Sequence, residues 1–455
     1  MESSGTAGPA GPVGPVGPVG SNWAGSYEYG AAALLRPTSL DELVSLVTSS
    51  PRLRALGSRH SFNDVADSPG VLVSVDALFG DEEPVISESD RTVTVGAATR
   101  FASLAAFLEP RGWALHNLGS LPHISIGGAI ATGTHGSGVG NGSLSTAVAA
   151  LEYVDGTGSL VTIARGDEGF EGSVVSLGAL GIVTRVTLDI QPSYQVRQDI
   201  FVDLSWGAAL DGFDEIMAAA YSVSLFGDWG DAGFKQAWVK TRLDGVGSGA
   251  GSLSATPASS TASAPFAYAD SFFGARPAGS KVMSPAGDDL DNTTVQGGVP
   301  GPWSERLPHF RADVTPSAGD EIQTEYFVSR ADARAALLAV RALGDRLRPH
   351  LLVTELRTIA ADALWLSPAF GRDSLAIHFT WKSHPAEVRE LLPSLEEALA
   401  PIDVRPHWGK WFALGAAELA PKYEHLADFA ALAESRDPAH RFRNPYLTRV
   451  LGLPA

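Results

Sequence analysis

Thr132-Gly133-Thr134-His135-Gly136-Ser137-Gly138 is the stretch on which the reading of the fold turns. Its glycines free the backbone for positive φ, and its N–H groups can then be aimed at a diphosphate. Read alone, the same stretch also suits a plain surface loop. Two phosphate cradles are excluded. No Gly-Lys-[Ser/Thr] follows, so this is not a Walker A loop. The glycines do not fall as G-x-G-x-x-G and no clear strand precedes them, so a Rossmann site is not expected. A dinucleotide bound here needs another kind of cradle.

Outward from this loop the chain alternates short strands, helices and glycine-rich turns. Downstream, residues 148–154 and 160–164 flank Asp155-Gly156 as a hairpin. Residues 178–190 add a further Gly-rich turn and a strand, ended by Pro192. Upstream, residues 101–111 have helical spacing, with Gly112 as the stop. Residues 91–96 alternate like a strand, and 53–56 form a short apolar strand before a turn-rich segment. Ser39-Leu40-Asp41-Glu42 fits a capping box that opens another helix. This mixture is the α+β class.

Beyond Pro192 the texture shifts to strands at 351–359, 375–381 and just before Lys410, with a longer helix over 330–347. The expected organisation has four parts. Residues 1–21 form a disordered Gly/Pro tail, since the three-residue glycine period is too short for collagen. Residues 22–190 with 411–455 form one domain, and 191–410 a second. A Gly/Ser/Ala-rich insertion at 245–265 reads as flexible.

Composition narrows the function. Of 455 residues 44% are hydrophobic and 8% aromatic, which excludes a disordered chain. Lys plus Arg number 33 against 51 Asp plus Glu, a formal charge of −18. Nucleic acid and anionic membrane, held largely by Lys and Arg, are therefore not expected partners. The absence of Cys excludes disulfides, thiolate metal sites, iron–sulfur clusters, catalytic thiols and any sulfur-tethered cofactor. No basic n-region with an apolar h-region opens the chain, and no apolar run reaches the ~18–20 residues of a membrane span. A cytoplasmic protein is expected, with no metal.

Several motifs then converge. Leu56-Gly57-Ser58-Arg59-His60-Ser61-Phe62-Asn63 resembles the flavin-attachment loop of the vanillyl-alcohol-oxidase-type flavoproteins. Ser120-Leu121-Pro122-His123-Ile124-Ser125, the loop at 131–138, and Ser176-Leu177-Gly178-Ala179-Leu180-Gly181-Ile182-Val183 are similar to the rest of that family's FAD domain. Glu355-Leu356-Arg357, His378-Phe379-Thr380-Trp381 and Pro406-His407-Trp408-Gly409-Lys410 resemble the substrate domain of the bacterial alditol (xylitol/sorbitol) oxidases. The likeness covers about residues 22–451 without the 245–265 stretch.

The resemblance implies a two-domain FAD-linked oxidase. Its FAD-binding domain has two α+β subdomains, and its substrate domain an antiparallel sheet flanked by helices. It implies FAD attached covalently through His60, and with no Cys a second, cysteinyl tether is impossible. Ala55, Leu56, Gly57, Ser58, Arg59, Ser61, Gly119, Ser120, Ser125, Gly128, Thr132, Gly133, Thr134, His135, Ile182 and His407 are implied to line the cofactor. Ile182 reads equally well as strand core. Arg59 stands where the alditol oxidases most often carry Gly. Gly119 occupies the small-residue position associated with oxygen access.

Glu355 and Arg357 stand two apart in an apolar strand, as do His378 and Thr380, so each pair shares a face. A half-exposed sheet with polar residues toward solvent would give the same pattern. With the resemblance, the face is expected to meet a ligand. Lys410 and Arg357 are implied to stabilise a developing alkoxide, with Glu355 also catalytic. Glu355, Arg357, Lys410, Ser120, Gln323 and Thr380 are implied to bind a linear polyol, and His378 to orient them from behind. The implied reaction takes a terminal primary alcohol to the aldehyde and reduces oxygen to hydrogen peroxide, in a protein expected to be monomeric. An aldonolactone oxidase on the same fold remains open, as does a polyol- or flavin-binding protein without turnover.

Overall fold

In this computed structural model the residues described are 19–80, 82–243, 271–279, 281–282, 290–314 and 321–454. The 245–265 insertion and most of the 1–21 tail lie outside them. The tail ends earlier than expected, however. Val19 is buried, and Ser21 bridges to Glu28 as an antiparallel pair.

The first half builds two sheets. Strands β1 (Ala33–Leu35), β2 (Leu53–Ala55) and β3 (Val71–Val73) form a parallel sheet in the order β1-β3-β2. Strands β4 (Val85–Ser87), β5 (Thr92–Gly96), β7 (Val148–Asp155), β8 (Leu160–Ala164) and β9 (Gly181–Asp189) form an antiparallel sheet in the order β4-β5-β9-β7-β8. The expected hairpin is there, with Ala150 opposite Ala164. A small pair, β6 (Trp113–Ala114) and β10 (Gln191–Pro192), leads into the second half.

Local chemistry sets the helices between them. Ser39 caps the helix Leu40–Ser49 by accepting from Glu42 N, and Glu42 reaches back to Thr38 rather than to Ser39 itself. The helix Phe101–Leu108 runs into a 3-10 turn and stops at Gly112, whose φ of 76° suits glycine.

The second half is one antiparallel nine-stranded sheet. It comprises β11 (Gln195–Leu204), β12 (Ser222–Gly227), β13 (Phe234–Arg242), β14 (Arg276–Pro277), β15 (Gly301–Pro302), β16 (Glu321–Ser329), β17 (Leu351–Ile359), β18 (Ser374–Lys382) and β19 (Arg405–Pro406). The order is β14-β11-β13-β12-β17-β18-β16-β19, with β15 also on β11. One face packs Leu225, Val239, Leu356, Ile377 and Phe379 under the helices Ala333–Arg341 and Pro385–Leu399. The other face looks toward the first half.

Two expectations change. The helix expected over 330–347 is broken into Ala333–Arg341 and Gly344–Leu347. Gly344 presses against Trp229, where a Cβ would stand 2.7 Å from the Trp229 carbonyl oxygen. The strand before Lys410 shrinks to two residues, since Pro406 has no N–H for a ladder.

The chain end returns to the first half. Phe429, Tyr446 and Leu447 join the core of the β4-β5-β9-β7-β8 sheet. Arg54, 3% exposed on β2, donates to the carbonyls of Phe442 (2.7 Å), Val65 (2.6 Å) and Leu177 (2.5 Å). Asn444 adds bonds to the carbonyls of Asp64 and Asp67. Replacing Arg54 by Met strands three buried carbonyls, so Arg54→Met is expected to cost on the order of 3 kcal/mol and lower the thermal unfolding midpoint followed by circular dichroism. An unchanged midpoint would remove Arg54 from this role.

Candidate active site

Sheet register lays the site out as rows. Glu325 on β16 pairs with His378 on β18, and His378 pairs with Glu355 on β17. Phe226 on β12 extends that row beyond Glu355. One row away stand Gln323, Thr380 and Val353, and on the other side Phe327, Ala376 and Arg357. Side chains two apart share a face. Gln323, Glu325, Thr380, His378, Glu355 and Arg357 therefore all look toward the first half of the chain.

Charge is balanced at close range. Glu325 is wholly buried, with Oε2 2.5 Å from Lys410 Nζ and Oε1 2.7 Å from Arg357 Nη2. Burial alone would raise its pKa, but Lys410, Arg357 and His135 hold it well below the ordinary carboxylate value. Glu355 is held low in the same way, by Arg357, His309 and His378 against its own burial. Burial pushes Lys410 down, opposed by Glu325. Lys410 Nζ also lies 2.7 Å from His378 Nδ1, and His378 Nε2 lies 3.0 Å from Thr380 Oγ1. An ammonium only donates. So His378 accepts at Nδ1, carries its hydrogen on Nε2, and gives it to Thr380.

The loop bearing Lys410 is tied to the loop bearing His60. Asn63 Nδ2 donates to the carbonyls of Trp408 (2.8 Å) and Lys410 (2.7 Å), and Phe62 N donates to Gly409 O at 2.7 Å. His60 Nδ1 lies 3.1 Å from Ser58 Oγ, and its ring stacks on Trp23 at 5.3 Å. Burial, helped by Arg100, pushes His60 down to about 4, so the imidazole is neutral near pH 7. Ser58 and Ser125 bond reciprocally, each backbone N–H to the other's Oγ.

Arg59 has a φ of 64°, in the left-handed region where glycine is at ease. Its guanidinium turns to the carbonyls of Val19 and Ser21 and sits 5.6 Å from the Tyr29 ring. The side chain thereby fastens the N-terminal segment over the loop.

One cavity of about 310 Å³ runs from this loop to the sheet face. Ala55 through Ser61, Gly119, Ser120, Ser125, Gly128, Thr132, Thr134, His135 and His407 line it, together with Gln323, Glu355, Arg357, His378, Thr380 and Lys410. Two residues do not. Gly133 takes a φ of 69° in the turn after the helix Ile126–Ala131, facing Pro368. Ile182 is fully buried among Leu43, Leu53, Val154 and Phe442, because its parity on β9 turns it into the core. Nor is the β16–β18–β17 face half-exposed, since Glu325, Glu355, Arg357, His378 and Thr380 are buried and only Gln323 is partly open.

Glu325, His309 and Lys240 were not anticipated. Glu325 had a usable signal, standing two residues after Gln323 between Ile322 and Tyr326. His309 comes from a loop, and only the folded chain brings it to Glu355. Atoms of His135, Glu325 and His407 lie within 4.8 Å of one another, a spacing that could suit a metal. The Glu325 carboxylate is already neutralised by Lys410 and Arg357, which would repel a cation.

The FAD binding domain family matches residues 31–164, and the D-arabinono-1,4-lactone oxidase family matches residues 320–450. The chain is 44% identical to an alditol oxidase of Streptomyces sp., over 95% of this chain and 98% of that one. It is 29% identical to an L-gulono-1,4-lactone dehydrogenase of Mycobacterium tuberculosis, over 95% and 99%. The fold matches that of a cholesterol oxidase from B. sterolicum with a TM-score of 0.73, at 15% identity and 96% of each chain. The architecture is thus that of a two-domain FAD-linked oxidase. Among the described residues no helix is long and apolar enough to cross a membrane.

Features of the cavity lining fit a bound cofactor. A Cβ on Gly57 would stand 2.6 Å from Ser125 Oγ, so a larger residue would displace the wall at this point. Nε2 of His135 and Nε of Arg357 are buried there without a hydrogen-bond partner, His135 lying 3.2 Å from Glu325 but out of line.

Burial pushes both His309 and His378 down to about 4. The unfolded chain takes up those protons near 6.5 while the native one refuses them until about 4. Their contribution is intact above 6.5 and lost as pH falls toward 4. The unfolding midpoint should therefore drop between pH 7 and 5, and His309→Gln should flatten the slope. An identical slope would show that His309 is not a buried neutral histidine.

Proposed function

The chain belongs to the alditol oxidase family of FAD-linked flavoproteins, and from that premise we propose that it oxidises the terminal primary hydroxyl of alditols such as xylitol and sorbitol to the aldose, with oxygen reduced to hydrogen peroxide. The supporting observation is the single cavity that joins the His60 loop to Glu355, Arg357 and Lys410. FAD, when bound, supplies hydride acceptance and electron transfer to oxygen.

The chain's own groups do the rest. Lys410 uses two N–H groups on Glu325 and His378, which leaves the third for the substrate oxygen. With Arg357 it stabilises the alkoxide that develops as the hydroxyl proton leaves. Because Glu325 fixes both cations, they need no reorganisation when charge appears. Thr380 receives its hydrogen bond from His378, so its own O–H turns outward as a donor. Glu355, kept ionised, accepts from a polyol hydroxyl, and Ser120 and Gln323 serve others. His60, neutral and packed on Trp23, is the proposed covalent attachment point of FAD. Gly119, in the lining of the same cavity, is the proposed small-residue position for oxygen access. A lactone-oxidising activity is the second reading, favoured by the lactone oxidase match over residues 320–450.

Acid precipitation tests the attachment. Yellow colour and flavin fluorescence should stay with the wild-type pellet, whereas His60→Ala should release flavin to the supernatant. Flavin released from the wild type would defeat the tether. Peroxide formation with xylitol, sorbitol, glycerol and an aldonolactone then ranks the substrates, and a preference for the lactone would overturn the polyol assignment. Lys410→Ala should lower kcat by about 100-fold or more with flavin still bound. Full turnover in that variant would remove Lys410 from the chemistry.

A further inference from the structure

One buried lysine stands behind the site without touching the cavity. Lys240, on β13, is 1% exposed and shares the sheet face of Trp238. Its amine, pushed down to about 7 by burial against the pull of Glu355, donates to the carbonyls of Leu307 and, at 3.4 Å, Pro308. It also lies 3.0 Å from His309 Nδ1. The His309 ring stands edge-on between Trp238 (centroids 4.9 Å apart) and Phe226 (5.6 Å), with Nε2 2.8 Å from Glu355 Oε1. The same segment reaches the other wall, since the N–H groups of His309 and Phe310 both lie 3.2 Å from Ser120 O.

Hydrogen counting fixes the orientation of this chain of contacts. Glu355 is ionised and can only accept. His309, pushed down to about 4 chiefly by burial and by Lys240, is neutral and carries one ring hydrogen. That hydrogen must sit on Nε2, so Nδ1 must accept, and Lys240 must donate to it. The opposite tautomer would set two lone pairs against each other at 2.8 Å. Glu355 Oε1 is thereby engaged, while Oε2 makes no hydrogen bond to any described residue.

We propose that Lys240 is a positioning residue that locks His309 as an Nε2–H donor to Glu355, so that the free oxygen of Glu355 selects a hydroxyl, rather than a carbonyl or ring oxygen, on the substrate. A hydroxyl gives Glu355 a hydrogen bond, whereas a lactone carbonyl at the same place offers only lone pairs. Sites that bond a hydroxyl reject analogues lacking it, because their own buried polar group is left unpaired. The inference rests on the alditol reading and names what in this chain favours it over the lactone.

The test is Lys240→Met, which keeps the volume and removes every donor. Steady-state kinetics with xylitol would be paired with anaerobic titration of flavin bleaching, which reads binding without oxygen turnover. KM and the anaerobic Kd should each rise about tenfold or more, with kcat changed less than about threefold. Flavin absorbance and the unfolding midpoint report whether the variant is folded. Lys240→Arg should restore most of the affinity. His309→Gln keeps an N–H toward Glu355, so adding Lys240→Met to it should cost little more. Unchanged KM and Kd in folded Lys240→Met would overturn the proposal, as would equal losses in the wild-type and His309→Gln backgrounds. If Lys240→Met does not fold, His309→Phe removes the same donor, and an unchanged KM there is equally fatal. A wild-type enzyme idle with every polyol would defeat the functional reading itself and this inference with it. An active wild type with an indifferent Lys240 variant would defeat only the latter.

Discussion

A single buried carboxylate, Glu325, is the constraint on which the site depends. It lies at 0% side-chain exposure and holds Arg357 at 2.7 Å and Lys410 at 2.5 Å. Neither cation could stay in this interior unpaired, since an isolated buried charge costs several kcal/mol. The pair is therefore positioned by one acceptor rather than by the substrate. Glu325 also connects the two halves of the molecule. Its strand belongs to the large sheet, Lys410 to the returning loop, and His135 to the glycine-rich stretch of the first half. The candidate site and the meeting of the two halves of the chain share one set of contacts.

Glu355 completes the balance. Two carboxylates face two cations, and the neighbouring histidines are neutral because burial has lowered their pKa values. A neutral site suits an uncharged ligand, since a charged one would enter without a counter-ion. The overall charge of −18 has no bearing on this chemistry. Within the candidate site the carboxylates and the cations they hold balance.

Much of this was legible in the sequence, and the reasons differ by element. The hairpin around Asp155-Gly156 and the strand Leu351–Ile359 follow from alternation and turn chemistry, both local. The pairs Glu355 with Arg357 and His378 with Thr380 were visible because strand parity is local too. Which rows meet across the sheet was not visible. Register depends on partners far apart in the chain, and so the Glu325–His378–Glu355 row appeared only in the folded molecule. Ile182 shows the reverse error. Its neighbours Gly181 and Val183 line the cavity, but parity turns Ile182 itself inward.

The absence of sulfur takes a sharper meaning in this setting. With no Cys in the chain a sulfur tether is excluded, and the attachment proposed above uses a nitrogen of His60. Nitrogen is a useful nucleophile only when unprotonated. At His60 burial and Arg100 keep the ring neutral, Trp23 stacks on it, and Ser58 bonds one ring nitrogen. Arg59 then accounts for the ordered N-terminal segment. In the left-handed conformation its backbone gives up the ease glycine would have, yet its side chain holds Val19 and Ser21, and Trp23 N bonds to Arg59 O at 2.8 Å. A small local strain thus holds the indole against the imidazole. The fold conditions the histidine proposed to carry the cofactor.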